Sequence, residues 1–113
     1  MPLIQLKTTA ELTPALRDEL TSDFGKMMAE AGKPESFLMI AFEDGVDLRF
    51  SGEKMKNGAL VEIKQVGDLG GDVYRCLTKT VTRILKERLG IDPQSIYITY
   101  QPVDDWGWNG TNF

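Results

Sequence analysis

Two stretches of this chain repeat one another. PLIQLK at 2–7 is matched by ALVEIK at 59–64, and PESFLMIAF at 34–42 by PQSIYITY at 93–100. Each half reads as strand, amphipathic helix, glycine, proline, strand. In the first half, Thr13 is a good N-cap and Pro14 suits the first helical position. Leu16, Leu20, Phe24, Met27, Met28 and Ala31 follow at helical spacing, and Gly32 ends the run. In the second half a helix from about Asp72 to Leu89 carries Val73, Leu77, Val81, Ile84 and Leu85 on one face, and Gly90 stops it. A β-α-β unit within one sheet demands parallel strands and a right-handed crossover. Two such units predict an α+β two-layer sandwich: a four-stranded mixed sheet with both helices on one face. The chain is read as one domain, 1–113, with pseudo-repeats at about 2–42 and 59–100.

The connecting segments are less regular. SFLMIAF at 36–42 is read as a strand apolar enough to be buried on both faces. Asp44-Gly45 signals a turn before a short strand ending at Phe50, and 51–58 reads as loop. GDLGGD at 67–72 is a glycine-rich turn, and the chain ends in an aromatic, otherwise unstructured tail. Two helices cover only one face of the sheet. With SFLMIAF and SIYITY in it, the other face is expected to be apolar enough to need a second copy as cover.

Composition removes several function classes. Thirteen basic against seventeen acidic residues give a net charge of −4, and no basic stripe is present, which argues against nucleic-acid binding. The absence of histidine removes the commonest metal ligand and the commonest acid/base near neutral pH. One cysteine, Cys76, allows no internal disulfide. No apolar run reaches membrane-spanning length, and no charged-then-apolar leader precedes residue 2. A cytoplasmic protein is expected, with export lacking a signal peptide as the alternative.

The residues left to carry chemistry are few. Met-Pro is a start from which the initiator methionine is normally removed, and that would make Pro2 a secondary amine at the end of a buried strand. Burial lowers the pKa of a cationic amine, so a neutral Pro2 would be a competent general base. The plainer reading of Pro2 is an edge-strand proline. Lys33, between Gly32 and Pro34, is suited to bind a carboxylate as a compact cation, or simply to offset a helix C-terminus. Trp106, Trp108 and Phe113 crowd the tail and read as a pocket wall, a subunit contact or core packing. VGDLGGD lacks the lysine and hydroxyl of a P-loop.

Taken in order, MP, GKP (32–34), F-x-G (50–52), VGDLGG (66–71), ERLGI-x-P-x-x-IYI-x-Y (87–100) and WGWNG-T-x-F (106–113) resemble the macrophage migration inhibitory factor family of the tautomerase superfamily. The resemblance runs the full length. It implies a homotrimer whose sheets form a central barrel, with pockets at subunit interfaces. It also implies cofactor-independent keto–enol tautomerisation of aromatic keto acids, phenylpyruvate-like and dopachrome-like. By the same resemblance Pro2 is the catalytic base and Lys33 binds substrate. Val66 supplies a backbone amide beside Gln65, and Phe37, Tyr97, Trp106, Trp108 and Phe113 form the aromatic wall, with Tyr97 contributed by an adjacent subunit.

The departures are Thr99 where asparagine is frequent, Gln65 where serine is common, and GALV in place of a Cys-x-x-Cys. Gln65 is expected to narrow the carboxylate pocket, and thiol–disulfide activity is not expected. Two other functions stay open at this level. One is a cytokine-like or host-interacting signalling protein with a vestigial pocket. The other is hydration or dehalogenation of unsaturated acids, which calls for arginines around the proline.

Overall fold

The computed structural model describes all 113 residues. The two halves fold as the repeat requires. β1 (Pro2–Thr8), α1 (Pro14–Glu30) and β2 (Met39–Glu43) form one unit, and β5 (Ala59–Val66), α2 (Gly71–Leu89) and β6 (Ile96–Val103) form the other. β1 runs parallel to β2 and β5 parallel to β6, while β1 and β5 pair antiparallel, giving the order β2-β1-β5-β6. Thr13 accepts a hydrogen bond from the Leu16 N–H and starts α1. Gly90, left-handed at φ +66°, ends α2.

Both helices lie on one face. Ile4, Leu6, Val61 and Ile63 project from the central strands against Leu20, Phe24 and Met28 of α1 and Leu77, Val81 and Leu85 of α2. Burying a side chain such as Phe24 is worth roughly 1.5–3 kcal/mol. Across the helix pair, Arg88 of α2 binds Asp23 (2.8 Å) and Glu19 (3.2 Å) of α1.

The uncovered face differs from the expectation. Strand alternation turns Ile40, Phe42, Ile98 and Tyr100 toward the helices, leaving Met39, Ala41, Tyr97 and Thr99 outside. On β1 and β5 the same outer face holds Gln5, Lys7, Glu62 and Lys64 beside Leu3, Leu60 and Val66, with Lys7 and Glu62 paired at 3.4 Å. The face is therefore mixed rather than apolar, because runs of apolar residues on the outer strands flank polar alternation on the inner ones.

Three connections carry more structure than expected. Glu35–Phe37 forms one 3₁₀ turn, so the strand begins only at Met39. Pro34 starts this turn, its carbonyl accepting from the Phe37 N–H; in the second half Pro93–Ser95 forms a like turn, started one residue earlier by Asp92, whose carbonyl accepts from the Ser95 N–H. Within 51–58, β4 (Glu53–Lys54) pairs with β3 (Arg49–Phe50) across Ser51 and Gly52, at φ +54° and +81°. The tail is a hairpin, β7 (Gly107–Trp108) with β8 (Thr111–Asn112), turned at Asn109-Gly110 with φ +53° and +75°. Two consecutive positive φ angles define the turn that matches strand twist, and Asn-Gly is its strongest sequence signal.

Candidate active site

Pro2 opens β1, one of the two central strands, on its helix-facing side, and is buried. The ladder explains why a residue without an N–H fits there. The Val66 N–H donates to the Met1 carbonyl at 3.3 Å, so Met1 and Val66 form a hydrogen-bonded pair. The next pair, Pro2 with Gln65, is by alternation the non-hydrogen-bonded kind. The Pro2 nitrogen thus needs no partner on β5 and faces the β2 side. A cavity of about 420 Å³ opens there, lined by Met1, Pro2, Phe37, Met39, Trp106 and Trp108 among others.

Its aromatic wall is built by two of the unforeseen elements. The 3₁₀ turn presents Phe37, and the tail hairpin presents Trp108 perpendicular to it at 5.7 Å between ring centroids. Phe113 extends the wall, 6.1 Å from Trp108, and its N–H donates to the Trp106 carbonyl at 2.9 Å.

Lys33 reaches the other flank of the terminus. After α1 the chain reverses at Gly32 (φ +85°), and the Lys33 N–H closes on the Met28 carbonyl at 2.8 Å. This directs the side chain to the end of β5, where Nζ donates to the Val66 carbonyl at 3.1 Å. The Met1 ammonium feels this neighbourhood. Desolvation first, and the Lys33 charge second, lower its pKa below the ordinary α-amino value.

Of the residues singled out from sequence, Pro2, Lys33, Val66, Phe37, Trp106, Trp108 and Phe113 come together around the start of β1. Tyr97 and Thr99 do not. They lie on the outer face of β6, Tyr97 at 61% exposure and edge-on to Phe50 at 5.8 Å, beside a separate apolar hollow of about 150 Å³. Gln65 does not line the cavity either. Its side chain is fully buried on the helix side, where Nε2 donates to the Tyr74 hydroxyl (2.8 Å) and the Gly67 carbonyl (3.2 Å). Strand alternation, which turns residue 65 inward and residue 66 outward, corrects the expectation that Gln65 narrows the pocket.

Met39 and Tyr74 were not singled out in the sequence. Met39 sits two residues past the 3₁₀ turn, and Tyr74 continues the apolar stripe of α2 three residues before Leu77, packed against the core. Every arginine is held by an acidic partner: Arg17 by Asp44, Arg49 by Asp47, Arg75 by Asp72, Arg83 by Glu87, Arg88 by Asp23 and Glu19. None lines the Pro2 cavity.

The sequence pattern of the macrophage migration inhibitory factor family matches residues 1–113. The chain is 29% identical over 116 residues to macrophage migration inhibitory factor of Xenopus laevis, spanning 100% of this chain and 99% of that one. The crystal structure of Leishmania major MIF2 superposes with a TM-score of 0.93 at 31% identity, covering 100% of this chain and 97% of the other. The homologue from Prochlorococcus marinus gives 0.83 at 31% identity, with 98% of each chain covered. The fold, the full-length match and these relatives agree: the chain belongs to the macrophage migration inhibitory factor family, within the tautomerase superfamily.

Proposed function

We propose that this protein is a cytoplasmic, cofactor-independent keto–enol tautomerase for phenylpyruvate-type and dopachrome-type substrates, with Pro2 as general base once Met1 is removed. The observation that carries this reading is the placement of Pro2: buried at a strand start, its nitrogen toward an aromatic cavity, with Lys33 and the Val66 amide at its flank. Homologues in the family are tautomerase-type isomerases, which supports the same class of reaction here.

In the proposed reaction, neutral Pro2 takes the proton from the carbon next to the substrate's carbonyl, and the electron pair moves to oxygen as the enolate. The prolinium then returns a proton to that oxygen. The reverse path begins at the enol hydroxyl, and no net electron or proton is exchanged with solvent. Lys33 and the Val66 N–H hold the carboxylate or the developing enolate. Phe37, Trp106, Trp108 and Phe113 enclose the aromatic group and exclude water, and that dryness keeps Pro2 neutral.

The site would be completed in a homotrimer. Tyr97 and Thr99 lie exposed on the outermost strand, away from their own chain's cavity, and family proteins form oligomers. The reading also accounts for the mixed outer face, which in a barrel of sheets would line a wet interior. Hydration or dehalogenation is disfavoured because each arginine is already paired elsewhere. The test is phenylpyruvate tautomerisation by wild-type protein and Pro2→Gly. The variant is expected to lose most of the rate, and equal rates would sink the proposal.

A further inference from the structure

We propose that Gln65 and Tyr74 are positioning residues for Val66, fixing the strand end that presents one backbone group to the substrate's carboxylate and the other to Lys33. The proposal rests on the tautomerase reading of the Pro2 cavity and concerns how that site grips an acid. Both backbone groups of Val66 are used at the site: the N–H meets the Met1 carbonyl at 3.3 Å, and the C=O takes the Lys33 ammonium at 3.1 Å. Yet Val66 is followed at once by Gly67 at φ +76° and, three residues on, by Gly70 at +88°, the least self-restrained backbone available.

One phenol oxygen supplies the missing restraint. The Tyr74 hydroxyl accepts from Gln65 Nε2 at 2.8 Å and from the Leu69 N–H at 3.2 Å, while the second Nε2 proton goes to the Gly67 carbonyl at 3.2 Å. Residues 65, 67 and 69 are thereby tied to the first turns of α2. The hydroxyl is itself held in place, because the Tyr74 ring stacks on Tyr100 at 4.7 Å and Tyr100 is bonded to Thr78 at 2.6 Å.

The amide shows a further sign of this role. Gln65 Oε1 is a buried oxygen with no hydrogen-bond partner. Reversing the amide would set that oxygen against the Gly67 carbonyl, so the turn dictates its orientation. A leucine here would fill the space without stranding a polar atom. What the amide does and a leucine could not is hold the turn through its Nε2 end.

The test uses Met1-free protein and two probes of equal shape, hydrocinnamate and the neutral hydrocinnamamide, with affinities from calorimetry. Tyr74→Phe keeps the ring stack and removes only the shared acceptor. Gln65→Met removes the amide at similar length and decides the matter should the first variant not fold. Each is expected to weaken hydrocinnamate about tenfold, the size of one lost hydrogen bond to a charged group, and hydrocinnamamide by clearly less, because its neutral carbonyl makes the weaker bond. The double variant should lose little more than either single one, since both act in one device. The Val66 amide resonance should move in both.

Equal weakening of the two probes marks general damage and overturns the proposal, as does an unchanged preference for the acid. Wild-type protein that binds neither probe overturns the cavity reading, and this proposal with it.

Discussion

The sharpest consequence of the structure concerns Met1. While it is attached, Pro2 is an amide and has no basic lone pair. A positioned general base contributes about 10²–10⁴ to rate. Met1 also occupies a second element of the site, since its carbonyl accepts the Val66 N–H at 3.3 Å. Losing one backbone donor to a developing oxyanion lowers rates by about 10²–10³. The two losses act on one transition state and do not multiply cleanly, so the larger sets the scale: the Met1-bearing chain should be slower by about 10²–10⁴.

The assay is direct. A preparation that retains Met1, confirmed by intact mass, is treated with methionine aminopeptidase, and phenylpyruvate tautomerisation is followed by ultraviolet absorbance. Rate should track the Met1-free fraction linearly from near zero. Its pH dependence should also follow the burial of the new terminus. The Met1 amine is already pushed below the ordinary α-amino value by desolvation and by Lys33, and Pro2 lies deeper. Activity should therefore persist below the ordinary α-amino range of about 7.7–8.0 and fall only as Pro2 is protonated. Stability moves the same way. An amine with a depressed folded pKa binds fewer protons folded than unfolded, so stability is lost as pH is lowered from the unfolded value to the folded one. A Met1-bearing chain as fast as the processed one would refute Pro2 as the base.

Other outcomes follow from individual contacts. Lys33→Ala should lower kcat/KM for phenylpyruvate by about 10- to 100-fold, mainly through KM, as expected for a lost charged hydrogen bond. Phe24→Ala empties a fully buried site between helix and sheet and should reduce unfolding free energy by about 3–5 kcal/mol in urea titrations with an unchanged m-value. Asp44 accepts the Leu12 N–H at 2.9 Å and pairs with Arg17, and these contacts hold its carboxyl below the usual carboxylate range. Its contribution is present above the unfolded carboxylate pKa and lost as pH falls through the folded one, so Asp44→Asn should flatten the acid limb of the thermal midpoint.

The parts of the fold written in local periodicity were legible in the sequence. Thr13, Pro14, Gly32 and Gly90 punctuate the helices as capping chemistry requires, and the repeat implied the parallel pairing within each half. The misread parts depended on neighbours. The hydrophobicity of 36–42 concealed a 3₁₀ turn because Phe37 is apolar for the pocket's sake, not the sheet's. The outer face was judged from its two edge strands, while Gln5, Lys7, Glu62 and Lys64 on the inner strands decide its character. Asn109-Gly110 carried a readable hairpin signal that the aromatic content of the tail obscured. In the site, Lys33 and the aromatic tail stood out by residue type. Gln65 shares the inner face of β5 with Ala59, Val61 and Ile63, an alternation legible in the sequence, but its role was not, because its partner Tyr74 comes from another element.

The duplication raises the question of why a doubled fold offers this site only once. The repeat sets Pro2 against Ala59 and Lys33 against Asp92, each pair preceding or opening equivalent elements. Ala59 is as buried as its counterpart, but its nitrogen is an ordinary peptide joined to Gly58, whose own groups are engaged with Thr8 and Thr9. Asp92 turns inward on its own turn, its carboxylate accepting the Gln94 N–H at 2.9 Å, where Lys33 instead extends to the end of the neighbouring half. Sheet and helices are near copies, so the scaffold cannot be what distinguishes the two ends. In the proposed reaction the distinction lies in the amine that loss of Met1 would free at Pro2 and in one cation aimed across the repeat boundary. Only the amine requires the first half to come first in the chain. A circular permutation that opened the chain between 58 and 59 and joined the present termini would keep the sheet order and bury the same core, yet leave Pro2 acylated. Such a protein should fold, bind aromatic acids weakly and show none of the proline-dependent rate, which separates the architecture from the chemistry it carries.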